Sequence, residues 1–567
     1  MPAMSTSAAT RPEALDAATE LAAAGFEPYR EPPRHGFVRR LLVVGRHLLA
    51  LAAGALVDRV RRRPPAARRG LRFRLQQLIA FLLRPFLRRE LRHQPFPVQL
   101  RRRMEMLGAT YVKLGQILAV RRDLLPQAVT DELENLLDRL PAVTFPRFRQ
   151  LVAEGLGRPV EELFAWIETR PTGSASIAQS HRASTLDGES VIIKVVKPGI
   201  RENLERDARL LRLLGRLLQL FMPRYQPRRV IEELVAYTLL EVDLVREADN
   251  AEIFAANFRH QPEVVFPRIY RHLSSATVLT MEFFAGVRPD SEAARRLPLD
   301  ERQRIVDLGA SAIIAMIYRD GFFHADLHPG NLLVLPGPRA GFIDLGMVGR
   351  LDDGMRRTLL YYYYCLATGD ADGAARYLTR VAEPGRGAEP EAFRRAVAEV
   401  SRRWQRAQGG EGFSIARLIL ESVALGARYR MAFPVEMVLM VKALVTFESA
   451  GEMLVPGFDV AAVSRPHVSA IFLQQFSPAR LARATLRSAP ELMDAAVKMP
   501  LLITEGLRLL ERTTRRPAQN PFAGVRGTIF GGFCIVAGAI LAAAQGPWPL
   551  SALLFLVGLA AALNKKG

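Results

Sequence analysis

The sequence predicts an α+β fold in two lobes, preceded by a helical N-terminal extension and followed by a transmembrane helical hairpin. Three observations carry this. Between Thr172 and Val196 the composition turns β-branched: a small-residue loop, Gly173 to Ala178, leads into two strand-like runs joined by an Asp187-Gly188 turn. Further on, Leu332 to Leu335 and Gly341 to Ile343 are short apolar runs among loops rich in His, Asp, Asn and Gly, and the segments around them carry helical periodicity. Near the end, Thr528 to Ala544 and Trp548 to Leu563 are uncharged apolar segments of 17 and 16 residues joined by Gln545-Gly546-Pro547, a turn signal.

Taken in order, residues 1–100 form a polar start, poorly ordered up to about residue 35, and then basic amphipathic helices. The first 35 residues hold no continuous apolar run, so a cleavable signal peptide is not expected. Leu41 to Val57 is apolar but broken by Arg46 and His47 and edged by arginines, which suits a helix lying on a membrane surface. Residues 101–165 are a helical extension carrying Lys113-Leu114-Gly115-Gln116, and 166–285 are the first lobe, with helices at Ile200 to Gln219 and Val230 to Ala256 and a strand at Leu279 to Phe283. Residues 286–455 form the second lobe, which opens with a helix from Glu301 to Tyr318 and returns to helix at Asp352. A helical linker, 456–520, leads to the hairpin, 521–567. Each apolar segment spans about 25 Å at ~1.5 Å per residue, near the short end for crossing a bilayer, and Gly527, Gly531 and Gly538 allow close packing. Arg512, Arg515, Arg516 and Arg526 before the hairpin and Lys565 and Lys566 after it would keep both ends cytoplasmic.

The chain is 567 residues long with a net charge of +21, and residues 1–103 hold 21 Arg against seven acidic residues. Clustered Arg rewards an anionic surface, whether nucleic acid or anionic membrane lipid. The hairpin tips that choice towards lipid, and no aromatic-interleaved basic stripe supports nucleic acid. Two cysteines, Cys365 and Cys534, exclude a disulfide framework and point to a reducing compartment.

The chemistry gathers between Gly321 and Gly346, where Asp326 in His324-Ala325-Asp326 precedes Asn331 by five positions and Asn331 precedes Asp344 of Asp344-Leu345-Gly346 by 13. Protein kinases place an Asp, an Asn and the Asp of a D-F-G turn in this way: one carboxylate meets the attacking group while Asn and Asp hold magnesium on the nucleotide phosphates. Either piece alone would be loop capping. Together, flanked by short strands, they predict a protein-kinase-like fold and site. Lys194, inside Val191-Ile192-Ile193-Lys194 behind the small-residue loop, stands where a kinase holds phosphates. After Asp344 there is no A-P-E signature and no long activation segment.

These pieces in this order resemble the UbiB family of atypical kinases (also called AarF- or ADCK-like), associated with ubiquinone biosynthesis. The resemblance covers roughly residues 100–450 and rests on Lys113-Leu114-Gly115-Gln116, on Ser174 to Gln179 with His181, on Lys194, on Glu241 and Asp243 with Glu247 beyond, and on the two loops above. It implies that Lys194 binds ATP phosphates and pairs with Glu247, that Asn331 and Asp344 hold Mg2+, and that Asp326 is the base or water-orienting carboxylate. Gly173, Ser174, Ala175 and Ser176 would lie over the nucleotide, Glu282 and Phe283 would read its adenine edge, and Gln116 would approach it. Glu241 and Glu247, six apart on one expected helix, would diverge by about 120°. The family resolves this by pairing Lys113 with Glu241, with Asp243, Gly115 and Gln116 completing a cover over the cleft. Gly173 stands where the family usually has Ala.

The implied function is a membrane-anchored atypical kinase or ATPase supporting ubiquinone biosynthesis. It would act on polyprenyl quinone precursors or on ubiquinone-biosynthesis enzymes at a bacterial inner membrane, with the catalytic domain on the cytoplasmic side. A homodimer is left open. The alternatives are a protein kinase for a membrane-associated partner and a nucleotide- or lipid-binding pseudoenzyme scaffold.

Overall fold

In the first lobe a single antiparallel sheet explains why a lysine sits in an apolar strand. The order is β1 (Phe164–Ile167), β3 (Ala178–Thr185), β4 (Ser190–Val196) and β6 (Val278–Glu282), with β2 (Gly173–Ser174) pairing on β3. Side chains alternate between the faces of a strand. Val191, Ile193 and Val195 therefore pack on one face with Phe148 and Val152, while Ile192 and Val196 face the other way with Leu244 and Ala248. Lys194 shares the second face, where helices close over the sheet.

The computed structural model describes residues 21–475, without 23–24, 30, 32–35, 64–70, 84–89, 92–93, 120, 122–124, 137–140, 222–226, 241, 407–414 and 459, together with 533–537, 539 and 548–563. The chain divides into two units, 1–474 and 475–567.

The extension is built from α1 (Phe37–Arg62), α2 (Leu71–Leu83), α3 (Phe96–Leu107), α4 (Ala109–Ala119), α5 (Gln127–Leu133) and α6 (Phe145–Leu156). Val44, Met104, Tyr111, Leu114 and Leu133 form a core with Ala208 and Leu211 of α7 (Ile200–Phe221) and Val235 of α8 (Pro227–Leu240). Arg40 locks α1 to α7, its Nε and Nη2 reaching the Asp207 carboxylate at 2.7 and 2.6 Å. Among the described residues, Phe37–Arg61 is the one stretch long and apolar enough to cross a membrane by length and composition. It is nevertheless docked along one face by Val44, Ala50, Ala53 and Val57, and exposes Val38, Leu42 and Leu49 on the other.

The helix expected from Val230 to Ala256 is two helices, α8 and α9 (Leu244–Asn257). The break has a local cause: Asp243 is extended and its carboxylate accepts the Val245 N–H at 3.2 Å, an N-cap that starts a new helix. Glu247 thus lies in the first turn of a new helix and not in a continuation of α8. Glu241 itself lies outside the described residues.

In the second lobe α10 (Leu299–Ile314) runs into a π-helical turn, Ala315–Asp320, instead of continuing as α-helix to Tyr318. It ends at Gly321, whose φ is 65° and where a Cβ would stand 2.8 Å from the Leu351 carbonyl. The sheet elements are β5 (Val264–Val265), β8 (Leu332–Leu335) and β9 (Arg339–Phe342) in the order β5-β9-β8, and β7 (Phe322–His324) paired with β10 (Val348–Arg350). Among the described residues six helices follow: α11 (Asp353–Thr368), α12 (Ala371–Val381), α13 (Pro390–Arg406), α14 (Ile415–Tyr429), α15 (Val435–Leu454) and α16 (Val460–Gln475). Phe323, Phe342, Leu359, Val397, Met440 and Leu444 join their core.

In the second unit, Trp548–Leu563 is helical over the range expected of the second hairpin segment. The rest of the expected hairpin falls outside the described residues, apart from 533–537 and 539, so the hairpin is not shown. Both cysteines are free and buried.

Candidate active site

Strand alternation aims Lys194 at α9, and the first turn of α9 brings Glu247 to meet it. Lys194 Nζ donates to both Glu247 oxygens, at 2.8 and 2.9 Å, and to Asp344 Oδ1 at 2.8 Å. Glu247 is 4% exposed. Burial alone would pull the Lys194 ammonium down, but Asp344 and Glu247 outweigh it and hold the lysine above its ordinary value. Three positions after Glu247, on the same helix face, Asn250 donates to the Leu345 carbonyl at 2.9 Å and pins the Asp344-Leu345-Gly346 turn to α9. Asp344 has φ 55°, a left-handed conformation held by these contacts on both sides.

The β8–β9 hairpin brings the other groups close. The Ile343 N–H donates to the Asn331 carbonyl at 3.0 Å, and Asn331 Nδ2 donates to the Asp326 carbonyl at 2.9 Å. The buried His324 orders the loop: Nδ1 accepts the Asp326 N–H at 3.1 Å while Nε2 faces the Ile343 carbonyl at 3.2 Å. That pattern assigns the proton to Nε2 in a neutral ring, consistent with burial pulling its pKa down. Asp326 Oδ1 accepts from Lys442 of α15 at 2.6 Å. Burial would raise the Asp326 pKa, but Lys442, Lys113 and His328 together hold it well below the usual carboxylate range. Lys113 also acts on Asp344, so the extension contributes a charge to both carboxylates.

Gly173 and Ser174 form β2, and the turn from it into β3 is closed by the Ala175 N–H donating to the Ala178 carbonyl at 2.9 Å. A Cβ on Gly173 would meet nothing within 4 Å, so the departure from Ala is not forced by space. At Gly115, in contrast, a Cβ would lie 2.4 Å from Leu136 Cδ1 and 2.8 Å from Met104 Sδ. The missing side chain at Gly115 serves packing inside the extension. Gln116 is half-buried on α4, Glu282 ends β6, and Phe283 follows it with its N–H on the Ser190 carbonyl at 3.1 Å. Lys197, 2% exposed, reaches the carbonyls of Ala175 and Pro141 and ties this loop to the extension.

Gln179 and His181 make a second tie. Gln179 Oε1 accepts the Val143 N–H at 2.7 Å, and its Nε2 donates to the Val143 carbonyl at 3.0 Å and to His181 Nε2 at 2.9 Å. His181 must be neutral to accept that bond, and burial lowers its pKa to about 4 from 6.5. A base with a depressed folded pKa stabilises the fold above the unfolded pKa and loses that contribution as pH falls through the folded one. Thermal unfolding should therefore show about 3 kcal/mol lost between pH 6.5 and about 4, and His181→Gln should flatten that dependence. An unchanged pH profile in the variant would refute it.

Sequence reasoning missed Asn250, Lys197 and Lys442. None belongs to a short motif; Lys442 is 116 residues from the carboxylate it touches. Among the described residues no group of three or more His, Cys, Asp or Glu could hold a metal by itself. Asp344 and Asn331 are hard oxygen ligands on adjoining segments, a set that suits magnesium, which takes one or two protein oxygens and completes its shell with phosphate and water.

The family model of the ABC1 atypical kinase-like domain matches residues 135–378, and that of the UbiB helical domain matches 410–459. A "Probable protein kinase UbiB" from Tolumonas auensis is 30% identical over 429 residues, 74% of this chain and 79% of that protein. One of the same name from Marinobacter nauticus is 31% identical over 437 residues, 74% and 78% of the two chains. A solved Mycobacterium tuberculosis structure, Rv3197 with erythromycin, is 25% identical over 62% of this chain and 90% of that one, with a TM-score of 0.45.

Proposed function

This chain belongs to the UbiB family of ABC1 atypical kinase-like proteins, and from that premise we propose that it is a membrane-anchored ATPase or atypical kinase supporting ubiquinone biosynthesis. The observation that carries this reading is Lys194 on both Glu247 and Asp344, with Asp326 and Asn331 on the adjoining loop. In it, Lys194 holds ATP phosphates, Asp344 and Asn331 hold Mg2+, and Asp326 orients the attacking group. The metal, when bound, neutralises charge on the phosphates; positioning and electrostatics supply the rest.

A small or lipidic acceptor is favoured over a folded protein. Lys113 of the extension acts on both carboxylates, and Gln179 and Lys197 hold the extension to the lobe. A cavity of about 750 Å3 between Tyr29, Arg40, Leu107, Ser176 and Lys197 is of small-ligand size. Exposed Leu42, Leu49, Leu75, Leu78 and Phe81 on α1 and α2, interspersed with Arg39, Arg46, Arg59 and Arg74, support docking on anionic lipid. The setting proposed is the bacterial inner membrane, with the cleft cytoplasmic and the C-terminal segments as a further anchor.

Phosphate release from ATP by the purified protein should rise when anionic liposomes containing a polyprenyl phenol are added. Nucleotide binding with no turnover under any condition would replace this reading with a pseudoenzyme scaffold.

A further inference from the structure

The carboxylate that would face the reacting phosphate is held by a residue from outside the kinase-like domain. That domain's match ends at residue 378, whereas Lys442 lies within the UbiB helical match, on α15. Its neighbours Val441 and Ala443 are buried and its own side chain is 18% exposed, so the helix delivers a cation inward from an apolar face. An ammonium placed there without a counter-charge would be costly. Lys442 Nζ ends 2.6 Å from Asp326 Oδ1.

We propose that Lys442 is a positioning residue of the phosphoryl-transfer site, holding the Asp326 carboxylate in one orientation through Oδ1 and leaving Oδ2 as the oxygen that meets the nucleophile. This rests on the ATP-turnover reading above. The groups facing Asp326 are Lys442 from α15, Lys113 from α4, His328 from its own loop, with Nε2 3.9 Å from Oδ2, and Asp344 across the cleft. Removing Lys442 frees Oδ1 and lets the carboxylate turn, so Oδ2 no longer keeps one direction towards the nucleophile. In hydrolysis the water oxygen bonds to the γ-phosphorus as the bond to the bridging oxygen breaks; ADP leaves with that electron pair, and the water proton ends on the released phosphate or in bulk water. Asp326 steers that water throughout. The helical domain is then part of the active site, and any motion of α15 would change the orientation of Asp326.

Two measurements test this. In steady-state phosphate release, Lys442→Met should lower kcat at least tenfold with little change in KM for ATP, and Lys442→Arg should restore much of it. A merely structural tie would instead lower thermal stability and shift kcat and KM together with no rescue by arginine, and that result overturns the proposal. The second measurement needs no turnover. A crystal structure of the Lys442→Met protein should show the Asp326 carboxylate turned from its orientation here or spread over more than one. An unchanged carboxylate overturns the proposal. Absence of ATP hydrolysis by the unsubstituted protein would count against the ATP-turnover reading, and the variant structure would still decide the role of Lys442.

Discussion

Asp344→Asn is expected to lower ATP turnover by on the order of 10²–10³ while leaving the fold intact. Two features make it a clean substitution. Asp344 has φ 55°, and Asn is one of the few residues that tolerates this left-handed conformation, so the backbone need not move. Lys194 also keeps Glu247 at 2.8 Å, so no ammonium is stranded. What is lost is charge. The carboxylate is held below its usual pKa chiefly by Lys194, against the effect of burial, and is therefore anionic at neutral pH; the amide cannot supply that charge to a magnesium ion or balance the lysine. Phosphate release over a range of magnesium concentrations, beside a thermal unfolding curve, checks both halves. Turnover within about tenfold of the unsubstituted protein would remove Asp344 from the metal role.

Much of this site was legible because kinase-type chemistry is written in short spacings. Asp326, Asn331 and Asp344 fall within a single loop–hairpin–loop, so their proximity follows from local structure alone. Lys194 was legible from its strand, yet its direction came from two-residue alternation read against which face was covered. The partition of Val230 to Ala256 was not foreseen because the apolar periodicity continues across the break, and the signal against it is a single capping carboxylate, Asp243. Asn250 and Lys442 touch groups 95 and 116 residues away, and no periodicity encodes such a meeting. Lys442 did carry one hint: it is a cation in a helix whose surrounding residues, Val438 to Ala443, are otherwise apolar. That conflict between residue and environment marks a partner elsewhere in the fold.

Removing Glu247 should damage stability and chemistry together, and the two can be separated. Glu247 is 4% exposed and accepts twice from Lys194. Glu247→Ala leaves that ammonium, 13% exposed, with Asp344 alone. The cost should be about 3 kcal/mol, the low end for breaking a buried pair, because Asp344 remains at 2.8 Å. A chemical denaturation curve reads this loss directly. The activity consequence differs in kind: a lysine with one partner binds Asp344 more tightly and competes with magnesium for it, so the magnesium concentration for half-maximal turnover should rise. Replacing both partners, Lys194→Met with Glu247→Leu, removes the stranded charge and should recover most of the stability while leaving turnover absent. If the double variant were as unstable as Glu247→Ala, Glu247 would be holding α9 through contacts other than the ion pair. If it turned over ATP, the pair would be structural and Lys194 would have no hand on the phosphates.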